Sequence, residues 1–320
     1  MIKKRFLVVI IVVFITGITP ALARAQSADH RHGDAKNKNE NKTGVLLLAH
    51  GGNKNWNEEV MKVASVVDKT APVEVAFGMA SKRTIQSAID KLIARGAREI
   101  IAVPLFVSPH SSVITSTEYL LGLRSEAPPE VAIFARMDHG HGGHEEHKPD
   151  PSFNPTTPVK SPVPIKMRDA LGRHPLVADI LLARTLEISR EPAHEVVVVV
   201  AHGPVTDESN AKWLGDMSVL VERMRQSSKF KRIEYLTVRD DAPAPIRDKA
   251  AAELRAVVAK ATDENARVLI VPLLLSYGGI EGGIKKRLEG LDYVIANRAL
   301  LPDDRIVEWV RLALDGAKNN

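Results

Sequence analysis

Hydrophobic positions along the chain fall into short blocks that alternate between two periods. The stretch 44–49 is an unbroken apolar run that ends abruptly in His50-Gly51-Gly52. Such a run closed by glycine reads as a buried strand of a parallel sheet. Apolar residues at helical spacing then predict a helix over 56–69, followed by a short strand at 73–77. A second helix is predicted over 84–95, stopping at Gly96, and a buried strand over 98–106, ending in Val107-Ser108-Pro109-His110. The pattern continues with a helix over 111–123 and a strand over 130–135. Regularity breaks over 138–164, which holds HGHGGHEEH and a proline-rich tail with no apolar period. A loop of that length inside a compact domain is functional or disordered. Helical spacing resumes over 174–189.

The alternation then starts again. A strand is predicted over 195–201, ending in His202-Gly203-Pro204, and a helix over 207–225 with Thr206 as its N-cap. Strands at 233–238 and 267–275 flank a helix over 245–261. After Ser276-Tyr277-Gly278-Gly279 come a helix over 280–288, an extended segment at 293–296 and a helix over 303–314. The two series correspond: LLLAHGG matches VVVAHGP, AREIIAVPLFVSPH matches ARVLIVPLLLSYG, and RDALGRHPLVADILLA loosely matches NRALLPDDRIVEWVRLA. A repeat this long is a duplicated domain, not a solenoid. The expected fold class is α/β: two duplicated domains, 44–190 and 191–320, each a parallel sheet with helices on both faces.

Charge changes the picture at the N-terminus. Lys3, Lys4 and Arg5 precede an apolar run from Phe6 to Ile18, and small residues follow at Ala21, Ala23 and Ala25. That order reads as a cleavable secretory signal over 1–25, with an uncleaved anchor as the alternative, and the run is short against the ~20 residues a membrane span needs. The polar stretch 26–43 reads as a disordered leader. Removing residues 1–25 takes away four bases and no acid, leaving 40 bases against 39 acids. The basic character of the whole chain therefore belongs mostly to the signal and argues for no nucleic-acid partner. The chain has no cysteine, which excludes disulfides, thiolate metal sites and lipid attachment at the cleavage site. A periplasmic or secreted protein, free of the membrane after cleavage, is expected.

All strands of a parallel sheet point their carboxyl ends to one edge, where open α/β sheets bind ligands. His50 and His110 follow the first and third predicted strands, so both reach that edge. Two neutral imidazoles there suit a first-row divalent metal or general-base work near neutral pH. Aligning the halves sets His110 against Gly278, which leaves His202 without a partner and assigns the chemistry to the first half. His139, His141, His144 and His147 form a separate glycine-interleaved tract able to wrap a transition metal. Lys54, Lys82, Arg83 and Arg136 lie near predicted strand ends and are candidates for meeting substrate carboxylates. No GxSxG, GxxxxGK[ST], HExxH or strand-borne GxGxxG is present.

LLLAHGG, VPLFVSPH and, between the halves, ALGRHPLV resemble the sirohydrochlorin cobaltochelatase family, the class II chelatases, in its long duplicated form. The resemblance implies two α/β domains facing a cleft that holds a flat tetrapyrrole. It implies ATP-independent insertion of a divalent metal, cobalt foremost with nickel or iron as alternatives, and no organic cofactor. His50 and His110 would hold the metal and accept the pyrrole protons, and the tract 139–147 would hold or deliver metal. Gly51-Gly52 stands where the family usually has Gly-Ser. The export signal also leaves open a periplasmic metal or tetrapyrrole carrier with the same fold and no turnover.

Overall fold

The computed structural model describes residues 42–137 and 153–316. The first series builds β1 (Thr43–Ala49), α1 (Lys54–Val67), β2 (Val73–Phe77), α2 (Lys82–Ala94), β3 (Glu99–Pro104), α3 (Ser112–Leu120), α4 (Glu130–Met137), β4 (Ile165–Met167) and α5 (Pro175–Ile188). The second builds β5 (Glu195–Ala201), α6 (Asp207–Gln226), β6 (Arg232–Thr237), α7 (Ala244–Asp263), β7 (Arg267–Leu273), α8 (Ile280–Arg287), β8 (Val294–Ile295) and α9 (Asp304–Leu314). Among the described residues these form two four-stranded parallel sheets, ordered β2-β1-β3-β4 and β6-β5-β7-β8. The duplicated α/β fold is therefore present in both halves. The Thr206 cap forms as expected, its Oγ1 accepting from the Ser209 amide at 3.2 Å.

One predicted strand is a helix. The run 130–135 lies in α4, where Val131, Phe134 and Ala135 are buried while Ala132 and Ile133 face outward. That spacing is helical, and Pro128 starts the turn by accepting from the Val131 amide at 3.1 Å. The fourth strand is instead β4, which pairs with β3 through Ile100 opposite Ile165. Its three residues sit on a sheet edge directly after Pro164, so neither length nor alternation marks it. Part of the expected loop is also fixed: Val159 donates to Leu120 O, and Lys160 and Gln86 exchange two hydrogen bonds of 2.7 and 2.8 Å. The histidines at 139, 141, 144 and 147 lie outside the described residues, as do 1–41. No described helix is long and apolar enough to cross a membrane.

The halves are joined by exchanged helices. α5 follows the first sheet in sequence but packs on β7 and α6; α9 follows the second sheet but packs on α1 and β3. One core therefore runs through both sheets, holding Leu47, Val103 and Trp309 together with Val197, Val271 and Leu181. Each sheet's opposite face has its own core, around Leu46, Ile89 and Ile100 in the first and Val198, Leu254 and Ile270 in the second.

A buried guanidinium ties the exchange. Arg184 on α5, 3% exposed, donates to the carbonyls of Ala299, Leu300 and Pro302 and to the Asp303 carboxylate at 2.8–3.3 Å. Asp303 also caps α9 through the Arg305 amide, so the clamp reaches the start of the exchanged helix. Removing one partner of such a cluster strands the others away from water. Arg184→Ala is expected to lower unfolding stability by about 3 kcal/mol in chemical denaturation. An exposed neighbour such as Arg298→Ala should change it by less than about 1 kcal/mol.

Candidate metal site

β1 and β3 lie side by side and end at the same edge, with Leu48 opposite Pro104. His50 follows directly and is exposed, its Nδ1 2.6 Å from Gly51 O. A carbonyl oxygen only accepts, so Nδ1 is the donor here and Nε2 is the nitrogen left to face a metal. Both glycines after it are required by space or backbone. Gly51 holds φ +82°, a left-handed turn. At Gly52 a Cβ would lie 2.9 Å from Trp56 Cγ, because the indole packs over the turn. Asn53 then caps α1 through the Trp56 amide, and Asn57 Oδ1 accepts from the Gly52 amide at 2.9 Å. Gly52 is thus the consequence of a tryptophan four residues later, and Gly51 of the turn itself.

His110 ends the loop after β3 and is one-third exposed. Its amide donates to Ser108 Oγ at 3.1 Å, and its carbonyl accepts from Trp213 Nε1 at 3.2 Å. Trp213 belongs to α6 of the other half. So does Asp216, whose Oδ2 lies 3.2 Å from His110 Nε2. Burial pushes the Asp216 carboxyl above the usual carboxylate range, against the pull of positive charge on His110 and Arg173. The segment ALGRHPLV supports this loop from behind. Leu171 and Gly172 donate to the carbonyls of Phe106 and Val107, and Gly172, at φ +46°, approaches Pro109 closely. His174 caps α5 through its Nδ1, and burial holds it below the ordinary histidine range, so it is a neutral structural group.

The candidate residues disperse accordingly. His50 and His110 stand at one sheet edge, with no hydrogen bond or ion pair between them. Among the described residues no group of three or more acidic or histidine side chains is gathered closely enough to hold a metal. Lys54 is the first residue of α1 and pairs weakly with Glu58 at 3.9 Å. Lys82 donates to Asn154 O and Thr157 Oγ1, and with Arg83 it covers the Phe153 ring at 5.2 and 4.8 Å. Those two cations anchor the chain after the histidine tract. Arg136 is in the last turn of α4 and not at a strand end, since the strand expected there is a helix.

The second half closes the corresponding position. Tyr277 donates to Ala296 O, and burial drives its phenol far above its usual range, so it is a fixed pillar. A Cβ on Gly278 would lie 3.3 Å from Trp56 Cδ1, while Ser276 Oγ bonds Glu59 of α1. Trp56 thus touches the loop after β7 as Trp213 touches the loop after β3. His202 sits after β5, 3.5 Å from Asp241 Oδ2. Beside it Arg239, only 8% exposed, donates to Pro204 O, Val205 O and Asp207, and its own amide bonds His202 O at 2.6 Å.

The CbiX family model matches residues 44–188, which end with α5. The sirohydrochlorin cobaltochelatase of Methanothermobacter thermautotrophicus is 33% identical over 97 residues, 29% of this chain and 68% of that protein. The chain belongs to the CbiX family of metal chelatases. The sirohydrochlorin cobaltochelatase of Methanococcoides burtonii is 25% identical over 151 residues, 46% of this chain and 97% of that protein. SirB from Bacillus subtilis with Fe3+ shares the fold at a TM-score of 0.58 and 16% identity, covering 87% of this chain and 99% of its own. SirB from Bacillus subtilis subspecies spizizenii in complex with cobalt gives 0.53 at 16% identity, over 86% and 96%. The CbiX match lies on the half that carries both His50 and His110, whereas the fold likeness spans both halves.

Asp216, Trp213, Trp56 and Arg239 had no motif to announce them. Asp216 reads as an ordinary polar position on an amphipathic helix, and Arg239 as a surface base in a loop. Arg239→Met in this CbiX chain is expected to lower stability by about 2 kcal/mol, measured by chemical denaturation, through the stranded carbonyls of 204 and 205. The amount of cobalt bound should be unaltered.

Proposed function

We propose that this chelatase inserts a divalent metal, cobalt foremost, into a tetrapyrrole of the sirohydrochlorin type without ATP. The observation that carries the reading is the free Nε2 of His50 at the carboxyl edge of β1, on the strand next to the one that leads to His110. Insertion exchanges the metal's protein ligands for pyrrole nitrogens and releases two pyrrole protons. As the metal leaves, each imidazole regains the lone pair that bound it and is free to take a proton. The two histidines thereby serve first as ligands and then as bases. Exposure of His50 leaves room for a flat macrocycle at this edge, and the second half forms the facing wall.

The signal-like order of residues 1–25 supports a reaction in the periplasm or outside the cell, and the glycine-interleaved histidines at 139–147 support a metal-holding role for that tract. Nickel and iron are the other metals that imidazole ligands accept. The chain recovered from the periplasmic fraction should lack residues 1–25 by intact mass. Recovery of the full-length mass from the cytosol would contradict that placement.

The test is an absorbance assay with sirohydrochlorin and Co2+. The wild-type chain should accelerate insertion, and His50→Ala and His110→Ala should each reduce the rate at least about 100-fold. Full activity in both variants would refute the assignment. Cobalt and tetrapyrrole binding with no acceleration would make the protein a carrier.

A further inference from the structure

We propose that Asp216, on the second half, is a metal ligand that captures the incoming divalent cation together with His110 of the first half. The proposal rests on the reading of His110 as a metal-holding residue and adds the group that completes its grip.

The Asp216 side chain is 17% exposed, yet its Oδ2 is shut off from solvent and receives no aligned hydrogen bond. A carboxylate oxygen in that state is unfavourable unless a cation or donor faces it. What faces it is His110 Nε2, at 3.2 Å. Two donors bound to one first-row ion at ~2.1 Å, at angles between 90° and 109°, stand about 3.0–3.4 Å apart. The Nε2 and Oδ2 atoms therefore already have the separation of neighbouring ligands. Imidazole plus carboxylate is a donor set that cobalt, iron and zinc all accept.

His110 is held from outside the pair. The His110 carbonyl is fixed by Trp213, one turn before Asp216 on the same helix, and its amide by Ser108. Arg173 places positive charge near Asp216 but makes no ion pair with it, so the carboxylate stays free to bind. The equivalent loop of the second half meets Trp56 and Glu59, which lie on α1, and carries Gly278 where His110 stands. The cross-half grip on metal is therefore built once.

The bland alternative is that Asp216 and His110 form only a latch between the halves. Equilibrium Co2+ titration, followed by visible absorption without tetrapyrrole, separates the two. It is done on the exported chain carrying His139→Ala, His141→Ala, His144→Ala and His147→Ala, so that the tract does not compete. Asp216→Asn should weaken cobalt binding at least about tenfold and shift the ligand-field band, while Asp216→Glu restores most of the affinity. Wild-type affinity and spectrum in Asp216→Asn would overturn the proposal. So would a lowered melting temperature of the metal-free protein with an unaltered cobalt spectrum, which is the behaviour of a latch. His110→Ala runs alongside: if it too binds cobalt normally, the reading of the site itself fails, whereas loss only in His110→Ala removes Asp216 alone.

Discussion

The exchange of α5 and α9 between the sheets is the constraint on which the rest of the structure depends. Each sheet needs helices on both faces to bury its continuous apolar strands. Here one of those helices comes from the other half, so neither sheet has a complete core by itself. Arg184 fastens the exchange by closing four acceptors around one guanidinium. With the halves locked, residues on α6 are held against the loop after β3, and residues on α1 against the loop after β7. Those reciprocal contacts, Trp213 with His110 O and Ser276 with Glu59, fix the two loops at the carboxyl ends of β3 and β7.

Duplication supplied two equal scaffolds, and local substitutions made them unequal. The His-Gly turn recurs at 50–51 and 202–203, with φ +82° and +77°, because a strand end must reverse sharply there in both halves. What surrounds the turn differs. The first leaves its imidazole exposed, with Nδ1 turned to Gly51 O; the second sets its imidazole 3.5 Å from the Asp241 carboxylate. Glycine against histidine at 278 and 110 completes the division. The second half became the support of the first, contributing an indole and a carboxylate to its partner's loop.

The fold was legible because burial leaves its period in the sequence. β1, β5 and β7 are nearly all buried, and their apolar runs mark them directly. The repeat then constrained the remainder. Over 130–135 the structure has a helix where a strand is expected: five apolar residues after Glu130 are too few to separate the two periods, and only contacts with α3 and the first sheet's outer core decide it. β4 was invisible because three edge residues after proline carry no pattern. The two histidines were legible as residues at strand ends. The carboxylate beside one of them was not, since it sits 106 positions away on a helix of the other half, and proximity across the halves is a property of packing alone.

The central claim is that metal chemistry belongs to the first half, gripped from the second. Anomalous diffraction from crystals of the cobalt-loaded protein tests it most directly. An ordered cobalt peak is expected at the carboxyl edge of β1 and β3, with an imidazole nitrogen of His110 and an oxygen of Asp216 as ligands. An ordered cobalt at His202, with density at that edge empty, would contradict it.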